Sequence, residues 1–370
     1  MKNVCFILGV LFVLFCSYSV HGQINFEEGT LKEAFQKARA DNKLVFLDCY
    51  TSWCGPCKKM MKEVFSRSDV GEYMNAKFVC YKQDMEKGNG KVLAERYDVS
   101  VYPTFLILTA DGEIVHRSVG GQSANEFLQG MKTGCGENSL YALANRYKNG
   151  ERAPKFVLQY VEALSKAYMV EDKNRVVHDY WKSLSDEERC SMDNWLLLKQ
   201  YVHDVKLPEY IYLFEHKATY EKLVGKEEVE AKLFGNIYPL VGNHCNDMIF
   251  GNRPIDIAVL DEYVKLVEKA DLMRKEFLLQ QIHFVRFFAE DDLKGALKMY
   301  NDELRSWSPD ERLTATLQLN GMLHAKGSVR DCKKGKKSIL CAMKKCGWDK
   351  TNPMFIAILD GLHKKINDSK

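Results

Sequence analysis

The feature that most restricts the fold is a change of pattern at Gly134-Cys135-Gly136. Before it, strand-like and helix-like runs alternate; after it, no run looks like a strand. Upstream, Leu31 to Arg39 has helical spacing, Leu44 to Cys49 is β-rich, Cys57 to Phe65 is helical and Phe78 to Tyr81 is a short strand. A helix at Leu93 to Tyr97, strands at Thr104 to Leu108 and Glu113 to Ser118, and a helix at Asn125 to Met131 complete the series. Such alternation implies a partly parallel sheet covered by helices. The Asp111-Gly112 turn makes its last edge an antiparallel hairpin.

Downstream, Phe156, Val157, Tyr160, Val161 and Leu164 follow the i, i+1, i+4, i+5 spacing of one buried helix face. Similar stripes recur at Val176, Val177, Tyr180, Trp181 and Leu184, at Tyr263 to Ala270, and at Phe355, Ile356, Leu359 and Leu362. Breakers such as Lys148-Asn149-Gly150 and Gly251-Asn252-Arg253-Pro254 separate them, which predicts antiparallel helical hairpins. Ser185 with Glu188, and Ser308 with Glu311, form capping boxes, the second with Pro309 at the first helical position. Ala231, Phe234, Gly235 and Tyr238 echo a tetratricopeptide helix once, which does not establish a regular array.

A chain of 370 residues exceeds one ordinary domain. The expected division is a leader over 1–22, an α/β domain over 23–134 and an all-helical domain over 137–370. Lys2 followed by an apolar run from Val4 to Phe15 and a more polar stretch reads as a secretory signal peptide, with Val20 and Gly22 as the small residues before cleavage. A retained anchor is the alternative, although the run is short for a span of about 20 residues. The mature protein is expected in the periplasm or another extracytoplasmic space. A formal charge of +3 gives no argument for nucleic acid as a partner.

Of 12 cysteines, Cys5 and Cys16 lie in the leader, and the remaining ten are scattered through a chain long enough to bury a core. They therefore do not form a dense disulfide framework. Trp53-Cys54-Gly55-Pro56-Cys57 stands apart, because two thiols separated by two residues at a helix start can make and break a disulfide. Cys54 is expected at the solvent-facing helix N-terminus, where N–H groups and the helix dipole stabilise a thiolate. Cys57 then lies one turn on, and Pro56 fits the first turn because its missing N–H costs nothing there. The alternative, half of a structural zinc site, needs two more ligands at suitable spacing; Cys332, Cys341 and Cys346 do not supply a second such pair.

From about Ile24 to Met131 the chain resembles a thioredoxin-fold domain, with the central mixed sheet flanked by helices that this implies. Asp48, six residues before Cys54, matches the family's buried aspartate, which is implicated in proton transfer with the resolving thiol. Tyr102-Pro103-Thr104 matches the loop whose proline is cis, Trp53 the tryptophan bordering the site, and Gly120 the glycine beside the substrate groove. Lys58 to Val70 looks closer to the thioredoxin-like domain of bacterial thiol:disulfide interchange proteins. One departure is that Cys80 falls where the family usually has a lysine near the aspartate. Asp48 is therefore expected to lack a cationic neighbour and to titrate higher.

The resemblance implies an exported oxidoreductase that reduces disulfides of client proteins through Cys54 and Cys57. No metal or cofactor is implied beyond that pair, and an upstream electron donor is required. An isomerase or oxidase, and a helical protein-binding scaffold with an accessory redox domain, are the competing readings. Cys135 in the junction and Cys332 in a lysine-rich run are secondary redox candidates. Cys49, next to Asp48 in its strand, is expected on the opposite sheet face.

Overall fold

The computed structural model describes residues 22–251, 253–303, 306–346 and 353–368. The expected signal peptide lies outside the described residues, apart from Gly22. The chain divides into two compact units, one ending at Ser183 and the other beginning at Leu184.

The first unit opens with α1 (Leu31–Asp41), β1 (Leu44–Tyr50), α2 (Gly55–Glu63), α3 (Ser68–Lys77), β2 (Phe78–Asp84) and α4 (Gly90–Arg96). It continues with β3 (Thr104–Leu108), β4 (Ile114–Val119) and α5 (Ala124–Gly134). The strand order is β2-β1-β3-β4. β1 pairs in parallel with β2, while β1–β3 and β3–β4 are antiparallel.

β1 is central and, Asp48 apart, its interior is apolar on both faces, as a strand covered by helices requires. Val45, Leu47 and Cys49 pack with residues of α1 and α4, including Ala34, Ala38 and Leu93. Phe46 points the other way, into a cluster with Phe65, Phe105 and Phe127 beneath α2, α3 and α5. Its ring meets Phe105 at 6.0 Å and Phe127 at 5.7 Å. Strand alternation puts Asp48 on the Phe46 side and Cys49 on the other.

The helix ends follow local chemistry. Thr30 and Ser123 cap α1 and α5 in reciprocal capping boxes with Glu33 and Glu126. The sequence reading missed α3, which begins at Arg67 without a side-chain cap. Its buried Val70 and Met74 at i, i+4 spacing were the available signal.

Gly134, the last residue of α5, has to be glycine for a steric reason: a Cβ there would sit 2.5 Å from Ile107 Cδ1 and 2.9 Å from His116 Cβ. The chain then forms α6 (Leu140–Lys148), α7 (Pro154–Lys166) and α8 (Val170–Ser183). His116 of β4, buried, has Nδ1 3.4 Å from the Leu140 N–H, which donates to it at the start of α6. The pattern of the sequence changes at Gly134–Gly136, but compactness changes only at Ser183, because α6 packs on β4 and α7 on α6.

The second unit is helical throughout its described residues, from Asp186–Arg189 to Pro353–Asp368, with a π-helical turn at Pro239–Asn243. Successive helices pack in pairs, for example Ile257–Ala270 with Lys275–Ala289. Both predicted capping boxes are formed, at Ser185 and Ser308. In the last helix the buried face is Phe355, Ile358, Leu362 and Ile366, while Ile356 is exposed, unlike the stripe read from the sequence.

Candidate active site

Cys54 is the N-cap of α2, and its sulfur accepts a hydrogen bond from the Cys57 N–H at 3.1 Å. Gly55 and Pro56 make the first turn, which brings the two Cα atoms to 5.3 Å, and the sulfurs are bonded as a disulfide. A backbone N–H aimed at sulfur, together with the dipole of α2, favours a thiolate on Cys54 once the bond opens. The expected solvent-facing position is not what the oxidised form shows: Cys54 is 2% exposed and Cys57 4%. With the bond closed, each sulfur points at the other and not at solvent.

Asp48 lies on β1 and is 2% exposed, and its Oδ1 has no hydrogen-bond partner among the described residues. Desolvation pushes its carboxyl up to about 7, opposed by the charge of Lys82. The expectation that Asp48 lacks a cationic neighbour is therefore corrected. Lys82 of β2 is its register partner in the parallel pair, whereas Cys80 pairs with Phe46. Cys80 is buried in the aromatic cluster, and burial drives its thiol strongly upward. The missed signal was strand period, since residue 82 faces the same side as residue 80.

Tyr102 and Pro103 reach the site from the segment between α4 and β3, and their peptide bond is cis. Pro103 is buried, and its carbonyl accepts from the Gly120 N–H at 2.8 Å. Gly120 adopts φ +92°, a left-handed region that suits glycine. Further back, the buried Arg117 of β4 donates to the carbonyls of Tyr97 and Asp98, pinning the end of α4 from which this segment starts.

Trp53 is 65% exposed and meets the Tyr102 ring edge-on at 6.3 Å between centroids. Its indole Nε1–H donates to Glu86 Oε2 at 2.9 Å. Glu86, in the turn after β2, carries no motif in the sequence and was not anticipated. Two concavities flank α2. One, of about 360 Å³, is lined by Tyr50, Thr51, Ser52, Cys57, Lys58, Met61 and Lys62. The other, of about 670 Å³, lies between Pro56, Lys59, Met60 and Glu63 and the loop Gly121 to Ala124.

Cys49 is buried on the opposite sheet face, where desolvation holds its thiol well above the usual range. Cys332 is fully buried in its helix, its sulfur 3.6 Å from the Leu323 carbonyl, and burial raises its pKa against the charge of Lys365. Cys135 is exposed at the end of α5, and desolvation raises it too, against a hydrogen bond with Tyr73.

The thioredoxin-like domain family matches residues 31–134. Chloroplastic thioredoxin F of Oryza sativa is 38% identical over 94 residues, 25% of this chain and 46% of that protein. The thiol:disulfide interchange protein DsbD of Pseudomonas fluorescens is 34% identical over 102 residues, 27% of this chain and 18% of that protein. A solved candidate disulphide-isomerase from Bacteroides thetaiotaomicron is 46% identical, with 31% of this chain and 94% of that chain covered and a TM-score of 0.29. The chain thus spans about half or less of the length of these two curated relatives, and the family match does not reach the helices beyond Gly134. Sheet order, helix placement and the capped Cys54–Cys57 pair agree with that match, so residues 31–134 form a thioredoxin-like domain.

Proposed function

We propose that this protein is an exported thiol-disulfide oxidoreductase that reduces disulfides in client proteins. The observation that carries the reading is the Cys54–Cys57 disulfide at the N-terminus of α2, with Cys54 sulfur accepting the Cys57 N–H. In the reduced protein the Cys54 thiolate attacks one sulfur of the client disulfide. That bond breaks, the distal client sulfur leaves as a thiolate and takes a proton, and a mixed disulfide joins Cys54 to the client.

Asp48 then accepts the proton of the Cys57 thiol, directly or through water. A carboxyl poised near 7 exchanges protons at neutral pH more readily than one at the ordinary value. The Cys57 thiolate attacks Cys54 sulfur, the second client sulfur leaves as a thiolate and takes a proton from Asp48 or water, and the intramolecular disulfide remains. Two electrons pass from the dithiol to the client, so a donor dithiol must reset the protein. The cysteine pair is itself the electron carrier.

Trp53, Tyr102, Pro103 and Gly120 are proposed to form the wall along which the client backbone lies. The helical unit is the candidate for further client contact. Export rests on the N-terminal apolar run alone.

Trapping with Cys57→Ser tests the central claim. A covalent adduct on Cys54, released by dithiothreitol, is the expected product; adducts on other thiols with none on Cys54 would reject the assignment. The reduction potential measured against glutathione decides direction: a value below the glutathione couple supports a reductase, and one well above it an oxidase or isomerase.

A further inference from the structure

The two concavities beside α2 differ in charge. Cys57, Lys58, Met61 and Lys62 occupy i, i+1, i+4 and i+5, and so share one helix face running away from the disulfide. Lys58 and Lys62 are exposed there, and neither has a carboxylate partner among the described residues. The floor between them, from Tyr50 and Met61, is largely apolar, and Met61 is 38% exposed.

On the opposite flank the charges are compensated. Lys59 lies 3.9 Å from Glu63, and Arg67 is held by both carboxylate oxygens of Asp69 at 2.9 Å. Beside the first concavity, Asp84 accepts a hydrogen bond from the lining residue Ser52. Burial pushes its carboxyl up, but the Glu86 N–H and Lys87 hold it below its ordinary value, and Lys87 at 3.2 Å balances its charge. The two free ammonium groups are thus left over on one side of the site only.

We propose that this concavity is a specificity subsite for an acidic, aliphatic segment of the client next to its disulfide. An aliphatic side chain fills the hollow over Met61, and flanking Asp or Glu side chains pair with Lys58 and Lys62. The inference rests on the redox reading of Cys54 and Cys57 and names the class of client that this site takes.

The test uses the full chain, reduced and freed of reductant, in single-turnover reactions with two disulfide peptides. The peptides differ only in carrying Glu or Lys at the positions flanking a leucine beside the cysteine. Exposed ion pairs are individually weak, so the expected preference for the acidic peptide is roughly fivefold in the second-order rate constant at low salt, shrinking as ionic strength rises. Lys58→Gln with Lys62→Gln removes the preference, and Lys58→Glu with Lys62→Glu reverses it. Because each variant is scored by its ratio between two peptides, a partly unfolded preparation lowers both rates and leaves the ratio readable. Equal rates for the two peptides in the unmodified protein, or a preference that survives the double glutamine change, overturn the subsite. Neutral hydroxyethyl disulfide separates the two claims. If it is reduced while the peptides are not distinguished, only the subsite fails; if it is not reduced at all, the redox reading fails first.

Discussion

Asp48 and Lys82 are register partners across the parallel strands β1 and β2, and this pairing sets the charge balance behind the disulfide. The carboxyl is buried and held near 7, while the Lys82 ammonium is exposed and sits 5.2 Å above the Phe26 ring. Lys82→Met removes the cation that lowers that pKa, so the Asp48 carboxyl is expected to titrate above 7. Carboxyl carbon NMR of the variant checks this, and an unchanged titration would show that Lys82 is too well solvated to matter.

The pH dependence of stability has two opposed contributions. Asp48 has a folded-state pKa of about 7, above its ordinary 3.8, so the stability it confers while protonated is present below about pH 4 and lost by about pH 7. His116 is pushed down by burial to about 4 from 6.5, so its contribution is present above about pH 6.5 and lost as pH falls to 4. Each slope is about 1.4 kcal/mol per pH unit at most, and they have opposite signs. Urea unfolding of the oxidised protein should therefore vary little between pH 4.5 and 6.5. Asp48→Asn should make stability rise with pH over that range, and His116→Gln should make it fall. Parallel profiles in all three proteins would contradict both assignments.

Asp48→Asn also bears on turnover. A proton acceptor in general acid–base catalysis contributes about 10²- to 10⁴-fold, so resolution of the Cys54 mixed disulfide is expected to slow by at least about tenfold at pH 7.5. The kinetic inflection near pH 7 should disappear with it. Retention of that inflection would place the titrating group elsewhere.

Glu86→Ala frees the Trp53 indole from its hydrogen bond without touching the core, since both side chains are exposed. We expect KM for a disulfide peptide to rise about two- to fivefold, with unfolding free energy changed by less than about 0.5 kcal/mol. A loss of stability with no change in KM would make the contact structural and not a part of the binding wall.

Two glycines in first helical turns should respond differently to alanine. At Gly90 a Cβ would sit 2.0 Å from the Asp84 carbonyl oxygen and 2.7 Å from Met85 Cα, both backbone atoms that cannot swing aside. Gly90→Ala is expected to destabilise by about 1–3 kcal/mol in chemical denaturation. Gly55 has nothing within 4 Å of that position among the described residues, so Gly55→Ala should be neutral or slightly stabilising, by up to about 0.5 kcal/mol, through helix propensity.

Local chemistry was legible wherever one residue or one short spacing decides the outcome. The Cys54–Cys57 spacing, the capping boxes at Ser185 and Ser308 and the alternation that separates Asp48 from Cys49 need only near neighbours in the chain. So does the change at Gly134-Cys135-Gly136, which marks where strands cease. Tertiary structure decided what depends on residues far apart in sequence. Lys82 meets Asp48 only through the β1–β2 register, Glu86 meets Trp53 across 33 residues, and Gly134 is required because Ile107 and His116 crowd it. The unit containing the sheet runs on to Ser183, since apolar stripes show that a helix buries a face but not which partner covers it.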